Sequence, residues 1–456
     1  MSPFSHIKAF IRTPARLSLL AFAVTIGIGS LLLSLPASSS AEPLSFMDAL
    51  FTSTSATCVT GLVVVDTGTR LSLFGQLVVL LLIQAGGLGI MTLSTAFLVA
   101  TRRRPSLTGL AAVHDALPPL KQQSYGNLLL EVVKMTFLLE GLGALVLSLR
   151  FLFDHPFWQA VYLGVFHAVS AFCNAGFSPF SNSLVSYSGD WVVNLCVAAL
   201  IVSGGIGFVV LAEARHQRPW RRGGWRRLSL NSRLVLVTSA VLIAVGTTLV
   251  LLCEWNNTLA AMPWHQRLLA ALFQSITART AGFNTVPTGQ LANETLFLLM
   301  LLMFIGASSG SCGGGIKTGT FAALLVWGLS RLRGQQRPQV FRRSLAESSL
   351  ARAISVTMVS AAIVVAAVMM LLLIEVGGVS HQASRGTSME LMFEAVSAFG
   401  TVGLSTGITT LLSSLGKFVL VLVMFTGRLG PLVVAMAIGR TKLARYRYAE
   451  EQILVG

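Results

Sequence analysis

Residues 166–176 read Phe-His-Ala-Val-Ser-Ala-Phe-Cys-Asn-Ala-Gly, and residues 393–403 read Phe-Glu-Ala-Val-Ser-Ala-Phe-Gly-Thr-Val-Gly. The shared pattern is Phe, three residues, Ser or Thr, Ala, and a Gly shortly after. It recurs at residues 51–61 and, with one residue fewer between Ala and Gly, at residues 273–282. The glycines that close the four copies are Gly61, Gly176, Gly282 and Gly403, separated by 115, 106 and 121 residues. This regular spacing predicts a fourfold internal repeat.

The composition around these motifs predicts an all-α membrane protein. Of the 456 residues, 54% are hydrophobic and only 11% are charged, and the mean hydropathy is +0.75. Soluble domains carry about 25% charged residues, so most of this surface must face lipid. Apolar runs long enough to cross a bilayer predict eight transmembrane helices at 17–34, 72–101, 128–153, 191–212, 234–253, 295–329, 354–376 and 417–438.

Each motif lies between two of these spans, in a segment too short to cross the membrane. The chain therefore divides into four span–pore helix–span repeats around a pseudo-fourfold pore. We expect repeats at 1–110, 111–225, 226–340 and 341–456, the last with a cytoplasmic C-terminal tail. The N-terminus resembles a cleavable signal peptide. Because the first span completes the first repeat, we expect it to be retained.

The positive charges alternate along the chain. There are 33 Lys and Arg against 17 Asp and Glu, giving a net charge of +16, and 24 of the basic residues fall in alternate connections between spans. This pattern predicts cytoplasmic termini in an inner (plasma) membrane. It also argues against nucleic acid as a partner. The arginine clusters at 218–227 and 331–343 are open to two interpretations, docking of an acidic partner or anionic membrane lipid, and topology alone.

The opposite connections are acidic. Their carboxylates are Glu42, Asp48, Asp66, Asp154, Asp190, Glu254, Glu294, Glu390 and Glu394. Such a face would raise the local concentration of cations. The alternative is that these acids only solvate loops.

Four segments that enter the membrane and return predict a cation filter. Irregular backbone is tolerated at this depth only when it is buried in protein or lines a water-filled cavity. Backbone carbonyls facing a common axis can replace the hydration shell of K⁺. The predicted filter residues are Val59, Thr60, Gly61, Asn174, Ala175, Gly176, Thr280, Ala281, Gly282, Thr401, Val402 and Gly403. Glycine suits such loops because it adopts positive φ without strain.

These loops, with the strings Thr60–Thr67, Phe172–Ser178 and Arg279–Thr285, carry a resemblance to a known family. The whole chain resembles the membrane subunit of the Trk/Ktr/HKT superfamily of potassium transporters. Eight spans without an additional N-terminal pair are similar to the Ktr-type (KtrB-like) branch. The resemblance implies a homodimer, a cytoplasmic nucleotide-binding regulatory ring of the KtrA type, and K⁺ uptake that Na⁺ often stimulates. No covalently bound cofactor is expected.

The sixth span is interrupted by residues 306–320, which contain six glycines in fifteen residues. A straight helix is not expected here, because each glycine costs up to about 1 kcal/mol relative to alanine. A broken helix at the middle of a pore favours gating or ion coordination. The resemblance implies an intramembrane gating loop, whose candidate residues are Gly306, Gly310, Gly313, Gly314, Gly315 and Lys317. A flexible kink without function and a phosphate-binding loop are the alternatives, the latter disfavoured by the Lys317 spacing.

Arg428 lies within the last predicted span, in the string Thr-Gly-Arg-Leu-Gly-Pro. An arginine at this depth costs at least about 2.5–3.5 kcal/mol unless it is paired or faces water. We therefore expect it to point inward. The resemblance implies that its charge forms an electrostatic barrier near the gating loop, and the alternative is a structural role capping loop carbonyls.

Two other functional classes remain to be compared with a potassium channel-like transporter. An ion-coupled secondary transporter for another solute predicts two related halves and acidic residues in broken helices, neither of which is evident. An intramembrane enzyme predicts a His-Glu-x-x-His motif, a Ser/Lys dyad or paired aspartates, and the sequence has none of them. We therefore expect potassium transport and no enzymatic activity.

Overall fold

The computed structural model describes residues 14–89, 125–217, 219 and 223–430. Several predicted features lie outside these ranges, namely the ends of the second and eighth spans, the C-terminal tail, and many basic residues of the connections. The outlying basic residues are Lys8, Arg12, Arg102, Arg103, Arg104, Lys121, Arg218, Arg221, Arg222, Arg440, Lys442, Arg445 and Arg447.

The described chain is predominantly helical, as predicted. The α-helices are α1 (Pro14–Leu33), α2 (Phe46–Thr57), α3 (Leu73–Gly87), α4 (Tyr125–Phe151), α5 (Phe157–Phe172), α6 (Trp191–Ile206), α7 (Phe208–Gln217), α8 (Gly224–Arg227), α9 (Leu230–Glu254), α10 (Trp264–Thr277), α11 (Asn293–Phe304), α12 (Thr318–Leu332), α13 (Glu347–Glu375), α14 (Thr387–Gly400) and α15 (Ser414–Leu429). The β-structure within these residues is a short antiparallel hairpin of β1 (Gln339–Val340) and β2 (Arg343–Ser344), together with isolated bridges between Ser39 and Leu71 and between Ile305 and Ile316.

Fewer helices are long and apolar enough to cross a membrane than the eight spans predicted from the sequence. Among the described residues, three helical stretches are long and apolar enough, Leu130–Phe151, Leu230–Glu254 and Glu347–Glu375, and a bent pair makes a possible fourth. The remaining predicted spans are shorter in the structure because they are broken, or because their continuation lies outside the described residues. Length and composition alone therefore leave the eight-span arrangement as a prediction.

The four motifs form the short helices α2, α5, α10 and α14, which have 12, 16, 14 and 14 residues. At 1.5 Å per residue none is longer than about 24 Å, less than the roughly 30 Å of a bilayer core. Their starts are fixed locally. Ser45 caps α2 by accepting a hydrogen bond from the Asp48 amide at 3.1 Å, and a proline, Pro156 or Pro263, precedes α5 and α10.

The helices form four units, α1–α3, α4–α6, α9–α11 and α13–α15, each with a motif helix in the middle. The third helix of each unit packs against the motif helix of the next: α3 on α5, α6 on α10, α11 on α14, and α15 on α2. Because the last contact returns to the first unit, the four units close into a ring.

Glycines allow the third helices to approach the motif helices closely. A methyl group built on Gly86, Gly204 or Gly427 would lie within 2.0 Å of a carbonyl oxygen, that of Thr57, Phe172 and Phe399 respectively. Each of these carbonyls belongs to the last or next-to-last residue of the motif helix of the same unit. Small residues that let backbones meet are typical of helix packing in membranes.

The fourth predicted span is wrong as a single straight helix. Helices α6 and α7 meet at an angle of 99°. The bend is at Gly207, whose φ of 95° is unfavourable for any residue with a side chain. Phe208 there donates its amide hydrogen to the Gly310 carbonyl at 3.1 Å, so the bend is joined to the loop that interrupts the sixth span.

The sixth span is broken where the glycines predict it. Helix α11 ends at Phe304 and α12 begins at Thr318. The two ends of the intervening segment are joined by an isolated parallel bridge between Ile305 and Ile316. The Thr318 hydroxyl also donates to the Gly306 carbonyl at 2.9 Å. The loop is therefore an ordered element rather than a gap in a helix.

Replacing Gly204 by alanine should destabilise the fold by about 1–3 kcal/mol, because the new methyl group would meet the Phe172 carbonyl at 1.8 Å. Gly328→Ala is the matched control, since no atom lies within 4 Å of the added methyl group in the middle of α12. That change should leave stability unchanged or raise it. Thermal unfolding of the two purified variants in detergent would measure the difference, and equal melting temperatures would contradict the packing argument.

Candidate functional site

The four loops that follow the motif helices share an unusual backbone conformation. The first residue of each loop has positive φ although it is not glycine: Val59 (55°), Asn174 (59°), Thr280 (66°) and Thr401 (47°). Two residues later each motif glycine again has positive φ, between 69° and 92°. Left-handed non-glycine residues are uncommon in proteins, and a set of four at matching positions indicates a backbone held in place for function.

The four motif glycines meet one another in cyclic order. A methyl group on Gly61 would lie 2.4 Å from the Ala175 carbonyl oxygen, and one on Gly176 would lie 2.8 Å from that of Ala281. One on Gly282 would lie 2.4 Å from the Val402 oxygen. The ring closes at Gly403, where the distance to the Thr60 oxygen would be 2.1 Å. The loops therefore converge on one axis, and only glycine fits at these four positions.

Hydroxyl groups hold each loop from behind. The Ser55 hydroxyl donates to the Leu62 carbonyl at 2.7 Å, and Ser170 and Thr277 make the same bond to Phe177 and Phe283 at 2.7 and 2.6 Å. In the fourth loop, the Gly403 amide donates to the Ser397 hydroxyl at 3.1 Å. These hydroxyl groups belong to the Ser or Thr residues of the sequence motif. The motif could therefore have predicted the hydrogen bonds behind the loops, but the sequence interpretation gave these residues no role.

The third loop is one residue shorter, and the structure shows how this is accommodated. In the other three loops the residue before the glycine donates its amide hydrogen five positions back, as Thr60 does to the Ser55 carbonyl at 2.7 Å. In the third loop Ala281 donates four positions back, to Thr277 at 3.0 Å. The tighter turn removes one residue while the glycine stays in the ring.

The structure thus brings all twelve predicted filter residues together in one ring. We call the end of the ring formed by Val59, Asn174, Thr280 and Thr401 its inner end, after the side that the charge pattern assigns to the cytoplasm. All four residues are fully buried.

The glycine loop 306–317 lies directly against the inner end. A methyl group on Gly313 would lie 2.1 Å from the Thr280 hydroxyl oxygen, and one on Gly314 would lie 2.3 Å from that of Thr401. The predicted gating glycines therefore contact two of the four loops. Glycine is required here because any side chain would displace the threonines.

Other units hold the same loop in place. The Ser308 amide donates to the Gly205 carbonyl at 3.0 Å, and the Cys312 amide donates to that of Gly204 at 3.2 Å. The Cys312 thiol also contacts the Gly87 carbonyl at 3.1 Å. In this conformation the loop spans the space between the third helices of the first two units and the inner end of the ring.

Arg428 reaches this loop, as the sequence predicts. Its guanidinium group is buried and donates to the carbonyls of Cys312 and Gly86. Lys317 donates from Nζ to the Gly313 carbonyl at 2.6 Å. The contacts of Arg428 are those of a group that caps loop carbonyls, and its positive charge lies next to the inner end of the ring.

A second arginine at the loop is Arg279, to which the sequence interpretation assigned no role. Arg279 is only 9% exposed and donates to the Thr318 hydroxyl at 3.1 Å and to the Ser239 hydroxyl at 3.1 Å. Because the Thr318 hydroxyl in turn donates to the Gly306 carbonyl, Arg279 stabilises the base of the loop, where α12 begins. Its position next to Thr280 in the motif was the available signal.

The acidic residues expected on the outer face do not all lie there. Glu394 is fully buried, so it cannot contribute to a solvated face. Asp66 lies in the connection after the first loop and accepts hydrogen bonds from the amides of Gly68 and Thr69, both at 2.8 Å. Partial burial raises the pKa of Asp66, but its hydrogen bonds, with Ser181 first among them, leave the pKa below the ordinary value. Asp66 therefore serves as an ionised cap of its own turn.

A predominantly helical chain with several strongly apolar helices and four loops that converge in one ring has the organisation of a multi-pass membrane protein. The chain matches the family model described as "TrkH: Cation transport protein" over residues 8–443. The protein belongs to this family of cation transport proteins, whose members are transporters and not enzymes.

Individual relatives cover almost the whole chain. The Ktr system potassium uptake protein B of Bacillus subtilis is 38% identical over 97% of this chain and 97% of its own. That of Vibrio alginolyticus is 37% identical over 97% and 94%. The potassium/sodium uptake protein NtpJ of Enterococcus hirae is 33% identical over 97% of both chains. The resemblance to Ktr-type proteins is thereby confirmed.

The fold also matches a solved structure. The crystal structure of the potassium transporter TrkH from Vibrio parahaemolyticus superposes with a TM-score of 0.68, covering 92% of this chain and 83% of that one, at 20% sequence identity. The present chain therefore has the TrkH-like fold.

Gly403→Ala should abolish ion uptake, because the residue has a φ of 91° and its methyl group would lie 2.1 Å from the Thr60 carbonyl oxygen. Gly141→Ala provides the control, since this helical glycine has no atom within 4 Å of an added methyl group. Uptake of ⁸⁶Rb⁺ into cells that express each variant at equal levels would measure the effect. Normal uptake by the Gly403 variant would show that the ring is not the ion path.

Proposed function

We propose that the protein takes up potassium ions through a channel-like pore whose selectivity filter is the ring of four loops. The observation that carries this proposal is the cyclic approach of each motif glycine to the carbonyl of the next loop. Carbonyl oxygens around such an axis can replace the hydration shell of K⁺. The names of the relatives described above, each of which specifies potassium, support K⁺ over another solute.

The proposed pathway needs no covalent chemistry and no bound cofactor. An ion that enters the ring exchanges water for carbonyl oxygens of the twelve filter residues, and the motif helices direct their partially negative C-terminal ends toward it. Inward movement of one charge is favoured by about 2.3 kcal/mol per 100 mV of membrane potential. The energy for uptake then comes from the membrane potential.

The loop 306–317 is the proposed gate. Its glycines contact the inner end of the ring at two of the four loops, and an ion leaves toward the cytoplasm when Gly313 and Gly314 move away from Thr280 and Thr401. Arg428 donates to the Cys312 carbonyl within the loop, and Arg279 donates to Thr318, whose hydroxyl in turn donates to the Gly306 carbonyl. Displacement of the loop at Cys312 must therefore break its hydrogen bond to Arg428.

The membrane topology, oligomeric state and partners are proposed from the sequence analysis. We propose eight transmembrane helices in four repeats at 1–110, 111–225, 226–340 and 341–456, with both termini cytoplasmic in a bacterial inner membrane. We further propose a homodimer that associates with a cytoplasmic nucleotide-binding ring of the KtrA type. Sodium stimulation is supported by the potassium/sodium uptake named for the Enterococcus hirae relative. The arginine-rich connections can bind anionic membrane lipid.

Potassium uptake can be tested in two steps. Cells that lack their own potassium uptake should grow on low-potassium medium when they express this chain. Purified protein in liposomes should then pass K⁺ and Rb⁺, faster with Na⁺ present if sodium stimulates it. Absence of any alkali-cation flux from correctly folded protein would overturn the proposed function, and flux of another solute instead would favour a secondary transporter.

Arg428 variants separate an electrostatic barrier from a structural clamp. Arg428→Gln removes both the charge and the two hydrogen bonds to Cys312 and Gly86, so flux should rise by about tenfold, the equivalent of one charge-assisted hydrogen bond. Arg428→Lys keeps the charge but loses the forked geometry. If the charge forms the barrier, the lysine variant should retain low flux in liposomes. Equal flux in the lysine and glutamine variants would instead assign the effect to the hydrogen bonds.

A further inference from the structure

One position behind the filter differs between the four repeats. The residue that follows the motif phenylalanine is Thr52, His167, Gln274 and Glu394 in successive repeats, and each is at most 2% exposed. Two residues beyond the filter glycine, on the side of the ring opposite the glycine loop, stand Val63, Ser178, Asn284 and Ser405. The structure joins these two positions in the second and fourth repeats.

In the second repeat the connection runs through a histidine. His167 Nε2 lies 2.9 Å from the Ser178 hydroxyl, and Nδ1 lies 2.8 Å from the Leu163 carbonyl oxygen. Because a carbonyl can only accept, Nδ1 carries the proton and Nε2 accepts from Ser178. The Ser178 oxygen in turn accepts from the Phe180 amide at 3.0 Å. The chain beyond Gly176 is thereby tied to α5.

In the fourth repeat the connection runs through a carboxylate. One oxygen of Glu394 accepts from the Ser405 hydroxyl at 2.5 Å and from the Thr406 amide at 3.3 Å, and the other accepts from the Thr409 hydroxyl at 2.9 Å. Three donors thus converge on one fully buried side chain. Hydrogen bonds to a carboxylate are stronger than those between neutral groups, so the segment beyond Gly403 is held firmly to α14.

The first and third repeats lack this connection. Val63 has no polar group to accept or donate, and the Thr52 hydroxyl makes no hydrogen bond within the described residues. Neither amide atom of Gln274 has a partner in this same part of the structure. Because the glycines meet in the order 61, 176, 282, 403, the second and fourth repeats lie across the ring from each other.

We propose that His167 and Glu394 are positioning residues that fix two opposite filter loops at the ends away from the glycine loop, and that this twofold bracing sets the preference for K⁺ over Na⁺. The inference rests on the proposed filter. Two facing loops that cannot move inward keep their carbonyls too far apart to surround the smaller Na⁺. The other two loops lack this brace from their own motif helix, and the backbone of Asn284 in the third loop is held instead by hydrogen bonds to Ser183 and Leu184.

The experiment compares braced and unbraced positions at the same depth. Competition of Na⁺ with ⁸⁶Rb⁺ uptake in liposomes measures discrimination in Glu394→Leu, Glu394→Gln, His167→Leu and, as the matched control, Gln274→Leu. Glu394→Leu should lose K⁺ over Na⁺ discrimination by about tenfold, the equivalent of one hydrogen bond to a charged group, and His167→Leu by about threefold, because its hydrogen bond to Ser178 joins neutral groups. Glu394→Gln keeps an acceptor for Ser405 and Thr406 and should stay within about threefold of the wild type. Gln274→Leu should match the wild type.

Several outcomes would overturn the proposal. These are unchanged discrimination in Glu394→Leu, a loss in Gln274→Leu as large as that in Glu394→Leu, or a loss in Glu394→Gln as large as in the leucine variant. If Glu394→Leu fails to fold, Ser405→Ala can replace it, because it removes one of the three donors and should reduce K⁺ over Na⁺ discrimination by less. When Ser405→Ala is combined with Glu394→Gln, the two losses of discrimination should not add.

A second measurement keeps this test separate from the proposed function. Hydrogen–deuterium exchange of residues 403–411 should accelerate in Glu394→Leu, and exchange of residues 280–286 should not change in Gln274→Leu. Wild-type protein that passes no alkali cation would overturn the proposed function, while the exchange data would still show whether the brace exists. Exchange at wild-type rates in Glu394→Leu would overturn the brace itself.

Discussion

The close approach of four backbone loops is the constraint on which the rest of the structure depends. Each motif glycine lies where any side chain would collide with a carbonyl oxygen of the next loop, at 2.1 to 2.8 Å from an added methyl group. Loops that meet in this way must be buried on every other side, since unpaired backbone groups at membrane depth are costly. The motif helices, the hydroxyl groups behind the loops and the ring of packed third helices supply that burial.

The four units differ clearly at their third helices. Three third helices carry a glycine, Gly86, Gly204 or Gly427, that packs on the carbonyl ending their own motif helix. In the third unit the corresponding helix is interrupted, and the glycine loop occupies the inner end of the ring instead. In the function proposed above, the third unit supplies the loop that closes the pathway, while the other three units contact that loop and hold it in place.

Much of this arrangement could be predicted from the sequence because it follows from repetition. Four copies of the motif predict the twelve residues that the structure brings into one ring, and six glycines between residues 306 and 320 predict the break in the sixth span. What escaped prediction depends on contacts between units distant in sequence. The bend at Gly207 is joined to Gly310, Arg279 is anchored to Ser239 and Thr318, and Glu394 is buried by residues 405–409. Composition places an acidic or basic residue in a connection, but only the fold shows which of them turn inward.

The bend between α6 and α7 links the obstruction to the surface of the protein. Phe208 begins α7 and gives its amide hydrogen to Gly310, so a loop that withdrew would leave that donor unsatisfied unless α7 followed. Helix α7 ends near Arg215 and His216 and runs into the arginine-rich connection. Opening of the proposed pathway would then move α7 and its charged end at Arg215 and His216. A force applied to that end of α7 from outside the bilayer would act on the pathway in return.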